Sequence, residues 1–159
     1  MAYFAELESK TDPTGFTSDT HLVVKNVTVV GDDIPANGGT LADNDMHADG
    51  ETWCVNFFGG GLFKQTSRSG SFRKRYAGKG MVYDPTKDKF IGQQPFASWS
   101  LDSNADWQAP VAYPMTDQDE KYIGYRVRWD EDNLRWLGTK YADSSNYRWD
   151  ADNTNWIAL

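Results

Sequence analysis

Two segments late in the chain share one pattern: Trp129-Asp-Glu-Asp-Asn-Leu-Arg-Trp136 and Trp149-Asp-Ala-Asp-Asn-Thr-Asn-Trp156. In each, six residues separate two indoles. Such a spacing places the rings opposite one another when the middle forms a turn and each flanking strand sends one side chain inward. Cross-strand aromatic pairs add roughly 0.5–1 kcal/mol to a hairpin. Asp and Asn in the turns bond their own backbone and tolerate positive φ, so Asp132-Asn133 and Asp152-Asn153 are the expected turn centres. Asp130 is then expected opposite Arg135, and Asp84 opposite Lys89.

Tyr83-Asp-Pro-Thr-Lys-Asp-Lys-Phe90 keeps this spacing with other aromatics, and Trp99-Ser-Leu-Asp-Ser-Asn-Ala-Asp-Trp107 is a looser copy with one extra residue. The expected aromatic hairpin pairs are Trp99 with Trp107, Trp129 with Trp136, and Trp149 with Trp156. Six of the seven Trp lie beyond residue 98. A lone hairpin is marginal, so these units need neighbours to cover their aromatic faces.

The fold class that follows is mainly β: a small antiparallel β domain with at most one short helix, then Trp-rich hairpin repeats. We divide the chain into a β-rich core at residues 1–95 and a hairpin-repeat region at 96–159. Met1 to Leu7 alternates with Tyr3, Ala5 and Leu7 on one face, and the β-branched run His21 to Val30 is its expected partner. Gly31 to Gly50 reads as a long surface loop. Glu51 to Phe58 fits a short helix burying Trp53, Val55 and Phe58 and stopped by Gly59-Gly60-Gly61; it fits a strand equally. Ala109 to Tyr122, with Pro110 and Pro114, reads as an irregular connector.

With 159 residues the chain can bury a substantial core. Its one cysteine, Cys54, rules out an intrachain disulfide and, in Trp-Cys-Val-Asn-Phe-Phe, is expected in the core. No apolar stretch reaches membrane-spanning length, and the opening residues lack a signal-peptide pattern, so a soluble protein is expected.

The net charge of −7 argues against general nucleic-acid binding. Yet Lys64, Arg68, Arg73, Lys74, Arg75 and Lys79 lie in a stretch without acidic residues between Glu51 and Asp84. On an acidic protein this reads as a basic face for an acidic partner or a neighbouring copy. Asp43, Asp45, His47 and Asp49 alternate in a way that suits a divalent ion, but match no standard loop; a solvated loop is the preferred reading, with no metal or other cofactor assigned. Asp130/Asp132 and Asp150/Asp152 resemble the opening of a calcium loop without its glycine and distal glutamate, so turn capping is the better account. Two histidines, one cysteine and no nucleophile-elbow sequence give no catalytic constellation, and the expectation is a protein that is not an enzyme.

Beyond these readings, the chain resembles a family of small proteins encoded by tailed phages of marine cyanobacteria and other ocean bacteria. The likeness rests on Met-Ala-Tyr-Phe-Ala-Glu-Leu at the start, Gly60-Gly-Leu-Phe-Lys-Gln-Thr-Ser67, Phe72-Arg-Lys-Arg-Tyr-Ala-Gly-Lys-Gly80, Gln94-Pro-Phe-Ala-Ser-Trp99, Trp107-Gln-Ala-Pro-Val-Ala-Tyr-Pro114 and the closing Trp unit. The chain departs from the pattern in inserts around residues 9–20 and 31–50 and in the duplicated Trp unit. The resemblance implies a virion structural protein, a capsid decoration or tail-fibre-associated component, bound to coat or tail proteins as an oligomer or in a lattice. It carries over no catalytic residue. The alternative is a host-surface glycan-binding module using exposed Trp such as Trp129 and Trp149, followed by a nucleic-acid-associated protein using Arg73 and Arg75.

Overall fold

A computed structural model describes residues 1–11, 13–16, 19–36, 39–41, 48–114 and 124–159. They form two compact units, Met1–Gln93 and Gln94–Leu159. The protein is mainly β, with antiparallel sheets and one helix among the described residues.

In the first unit, β1 (Ala2–Thr11) pairs antiparallel with β2 (Thr20–Val30). The register shifts once, between Glu6 and Leu7, leaving Lys25 as the extra residue on β2. This is a β-bulge, and the Lys25 ammonium lies 2.7 Å from the Glu6 carboxylate. β5 (Leu62–Thr66) adds to the free side of β1, and β6 (Val82–Asp84) with β7 (Lys89–Ile91) adds to β2, in the order β5-β1-β2-β6-β7.

Strand alternation sends Tyr3, Ala5 and Leu7 to one face, as expected, but the opposite face is buried too. Ala2 and Phe4 pack with Val30, Leu41, Cys54 and Phe63. Ala5 and Leu7 pack with Val24, Ala77, Tyr83 and Phe90. Leu41 corrects the expectation of a surface loop over residues 31–50. The segment holds a small ribbon, β3 (Pro35–Ala36) and β4 (Gly39–Thr40), whose continuation anchors Leu41 in the core.

The ambiguous segment is helical: α1 spans Ala48–Phe58, with Asp49 and Glu51 in its first turn, where acidic side chains favour the helix dipole. Gly59 stops it in the left-handed conformation, φ 74°, and the Gly60 N–H donates to the Val55 carbonyl at 2.8 Å. That six-to-one bond is the Schellman cap expected of a glycine stop. Cys54 enters the core and Trp53 and Val55 pack against it, but Phe58 does not follow. One turn beyond Cys54, its ring stacks on Phe63 instead, and half of it faces solvent.

The second unit holds the ribbon β8 (Ser100–Leu101) and β9 (Trp107–Gln108) and a four-stranded sheet. The sheet runs β10 (Tyr125–Asp130), β11 (Arg135–Lys140), β12 (Asn146–Asp150), β13 (Asn155–Ala158), each strand beside the next. Trp129 sits opposite Trp136 and Trp149 opposite Trp156. The turns differ in detail from expectation. The left-handed residues are Leu134 (φ 47°) and Thr154 (φ 48°), one step after each Asn, and Asp88 (φ 48°) occupies the same place in the Tyr83–Phe90 copy. Asp130 and Asp150 cap the turns, accepting from Asn133 and Asn153 at 2.9 and 3.0 Å.

In the looser copy the extra residue shifts the pairing, so Leu101 stands opposite Trp107 and Trp99 does not. There Asp102 accepts the N–H groups of Asn104 and Asp106, closing the turn. Gly138 is required by close approach: a Cβ there would lie 2.9 Å from the Trp156 ring and 3.1 Å from Tyr125, which stack on each other across it. No helix among the described residues is long and apolar enough to cross a membrane.

Candidate functional site

In the first unit the basic stretch turns inward at Arg73. Its side chain is only 8 % exposed. The guanidinium donates to Glu51 and Asp88, both at 2.7 Å, and to the Gln65 carbonyl at 2.9 Å. Glu51 in turn accepts the Gln65 N–H at 3.0 Å and the Lys64 ammonium at 3.1 Å. Because β5 is an edge strand, the outward peptide groups of Gln65 have no strand partner; Glu51 and Arg73 together supply the acceptor and the donor. An ion pair thus closes the exposed rung of a sheet edge that would otherwise template pairing.

Asp88 also accepts a hydrogen bond from the Tyr83 hydroxyl, and the Arg73 guanidinium lies over the Tyr83 ring. Burial draws the Asp88 carboxyl upward, but the Tyr83 and Arg73 hydrogen bonds and the guanidinium charge outweigh it, so it lies below the ordinary value. Burial and the bond to Asp88 push the Tyr83 hydroxyl up to about 12, and burial with the nearby Glu51 charge pushes the Cys54 thiol up to about 11. This thiol is protonated and buried, which fits the core role expected of it.

The backbone around Arg73 is unusual as well. Arg73 (φ 51°) and Lys74 (φ 72°) are both left-handed, and the Arg75 N–H donates back to the Arg73 carbonyl at 2.9 Å, a three-residue turn. Conformations of this kind persist where surrounding bonds over-determine them. The Phe90 N–H on the same carbonyl and the three side-chain bonds of Arg73 do so here.

The six basic residues expected on one docking face are therefore dispersed. Arg73 and Lys64 converge on Glu51 inside the fold, Arg68 reaches the Tyr3 hydroxyl at 3.2 Å, and Lys74 and Arg75 are half-buried. Lys79 is exposed. No local motif marks Glu51, Tyr83 and Asp88 as site residues; the one signal for the carboxylates is that an acid-free basic run needs counter-charges from its flanks. Asp43, Asp45 and His47 lie outside the described residues. Among the described residues no group of His, Cys, Asp and Glu converges as a metal site.

In the second unit Trp129, Trp136 and Trp149 are buried together, with Trp99 and Trp156 partly buried against them. The Trp129 Nε1–H donates to Glu131 at 2.7 Å, and Glu131 also accepts the N–H and hydroxyl of Ser98. These bonds hold the Glu131 carboxyl below its ordinary value, Ser98 contributing most. The Trp136 Nε1–H donates to the Val111 carbonyl at 2.8 Å. Trp129 and Trp149, the rings expected to meet a glycan, are core residues and cannot present a face to a sugar.

Beside the cluster lies a recess of about 250 Å³ lined by Trp99, Trp107, Gln108, Val111, Tyr113 and Trp136 among others. Tyr113 is half exposed and packs edge-on against Trp136 at 4.9 Å. The residues 109–114, read as a connector, build one wall of it.

One more surface stands out in the first unit. Trp53 stacks on Phe57, Phe57 meets Phe58 edge-on, and Phe58 stacks on Phe63, at centroid distances of 4.8, 5.0 and 5.4 Å. Phe57 is 67 % exposed and Phe58 50 %. Compared with known protein families, curated proteins and solved structures, the chain matches none.

Proposed function

We propose that this protein is a non-enzymatic structural component of a tailed-phage virion, a capsid decoration or tail-fibre-associated protein that docks on coat or tail proteins. The observation that carries this reading is the exposed pair of rings Phe57 and Phe58 in the aromatic ladder that runs from Trp53 to Phe63. Large apolar rings exposed side by side at the end of a helix are costly to leave in water and mark a protein contact. It replaces the basic stretch as the docking surface, because Arg73 and Lys64 are already committed to Glu51. The resemblance to marine phage proteins supports the same reading by supplying the kind of partner.

The test is quantitative mass spectrometry of purified particles, comparing the wild-type gene with Phe57→Ser/Phe58→Ser. Hundreds of copies per particle mark a decoration role, and a few to some tens mark a tail or fibre role. The double variant should stay folded and disappear from particles. Absence of the wild-type protein from particles overturns the reading.

A further inference from the structure

We infer that one face of the four-stranded sheet in the second unit docks an extended acidic segment of a partner protein, in which carboxylate and apolar side chains are interspersed. In residues 94–159 acidic side chains outnumber basic ones eleven to six, yet all four arginines of that stretch, Arg126, Arg128, Arg135 and Arg148, project from one face. Strand alternation puts them there. Trp129, Trp136 and Trp149 are buried on the other face, and each arginine stands an odd number of residues from the tryptophan on its own strand. None of the strand residues on the arginine side is buried.

Three of the four are uncommitted. Arg135 donates to Asp130 at 2.9 Å. The side chains of Arg126, Arg128 and Arg148 make no ion pair or hydrogen bond among the described residues. Asp150 acts on Arg148 only through its charge, because its hydrogen bonds go to Asn153. Like charges collected on one sheet face repel, and an anionic partner relieves that repulsion.

The rest of the face selects among anions. Leu137 stands between Arg128 and Arg148, and Ile157 stands on the far side of Arg148. Both aliphatic side chains are only half-buried, and a polypeptide can cover them with apolar side chains of its own. A nucleic acid would bring bases that stack on aromatic rings, and every aromatic residue of these four strands lies on the opposite face. Spacing agrees with an extended peptide. Arg126 and Arg128, two residues apart on one strand, are separated by about 7 Å, the interval at which alternate side chains of a partner strand recur. Arg148 lies two strands from Arg128, at about 10 Å, and each guanidinium fork matches a carboxylate. This face belongs to the second unit and the Phe57 and Phe58 rings to the first, so peptide binding and incorporation through those rings can fail independently.

The experiment is a fluorescence-anisotropy titration of the full chain against a labelled peptide repeating Glu-Leu-Glu-Ser, in about 50 mM NaCl. A Gln-Leu-Gln-Ser repeat, oligo-dT and polygalacturonate are the comparators. The acidic peptide should bind saturably below about 1 mM and be released by about 0.5 M salt. Arg126→Gln, Arg128→Gln and Arg148→Gln together should weaken it by about tenfold or more, while Phe57→Ser/Phe58→Ser should leave it unchanged. Far-UV dichroism checks folding, and Arg126→Gln/Arg128→Gln decides alone if the triple variant does not fold. No saturable binding overturns the inference, as does binding that the arginine variants leave intact or that the Gln repeat matches. Tighter binding of oligo-dT or polygalacturonate overturns it too, by making the face a nucleic-acid or glycan surface. So does binding that appears only in Asp117→Asn/Asp119→Asn/Glu120→Gln, which would mean that the chain supplies its own acidic occupant.

Discussion

The two units close their sheets with different chemistry. In the first, an ion pair of Arg73 and Glu51 caps the edge rung of β5, and a helix covers one face. In the second, indoles cover the sheet, and their N–H groups latch outlying segments through Glu131 and Val111. A charge network is built from residues far apart in sequence and stands or falls as a unit. A hairpin array is built from neighbours, and each aromatic pair contributes separately.

Substitutions should break the two arrangements differently. The largest loss is expected for Trp136→Ala, which removes edge-on contacts with Trp129, Trp99 and Tyr113 and the bond to Val111. We expect about 3–5 kcal/mol in denaturant unfolding. Trp156→Ala should cost less, since that ring is only partly buried and its Nε1–H has no acceptor among the described residues.

Arg73→Ala comes next. It leaves the Gln65 carbonyl without its donor and takes the guanidinium from Glu51 and Asp88, and about 2–4 kcal/mol should be lost, discounted from the fully buried case because Asp88 is partly in water and Glu51 keeps Lys64. If the network acts as one, Asp88→Asn combined with Arg73→Ala should cost far less than the sum of the two single changes.

Alkaline pH separates the units further. The folded state raises the Cys54 thiol from 9.0 to about 11, so it binds the proton more tightly than the unfolded chain does. That stability is complete below about pH 9 and declines as pH rises to about 11, by on the order of 2 kcal/mol. Tyr83, raised from 10.0 to about 12, acts in the same direction over a higher window. Cys54→Ala should remove the lower part of the decline in a pH series of first-unit unfolding. If its slope is unchanged, the thiol is not the group responsible.

The smallest effect is a gain. Leu134 is exposed and left-handed, so Leu134→Gly should stabilise its hairpin by up to about 1 kcal/mol. Asp88→Gly at the equivalent place should destabilise, because there the side chain holds Arg73 and Tyr83.

The hairpins were legible because their information is local: Trp129 faces Trp136, and Asp130 bonds Arg135 at 2.9 Å, as spacing alone required. One inserted residue was enough to defeat the same reasoning at Trp99 and Trp107. Register has period two, and a shift of one moves a side chain to another partner. The fate of Arg73 was not legible. Whether a cation faces solvent depends on which carboxylate the fold brings to it, and Glu51 and Asp88 lie on opposite sides of it in sequence.

The sequence by itself determined the β class and the cross-strand pairs Trp129 with Trp136 and Trp149 with Trp156, since each depends on contacts within a few residues. Only the tertiary structure decided that the basic run turns inward, that Phe57 and Phe58 stay outside, and that Trp99 and Tyr113 share a recess with Trp136. Burial and charge pairing are properties of distant segments brought together, and no local pattern encodes which segments meet.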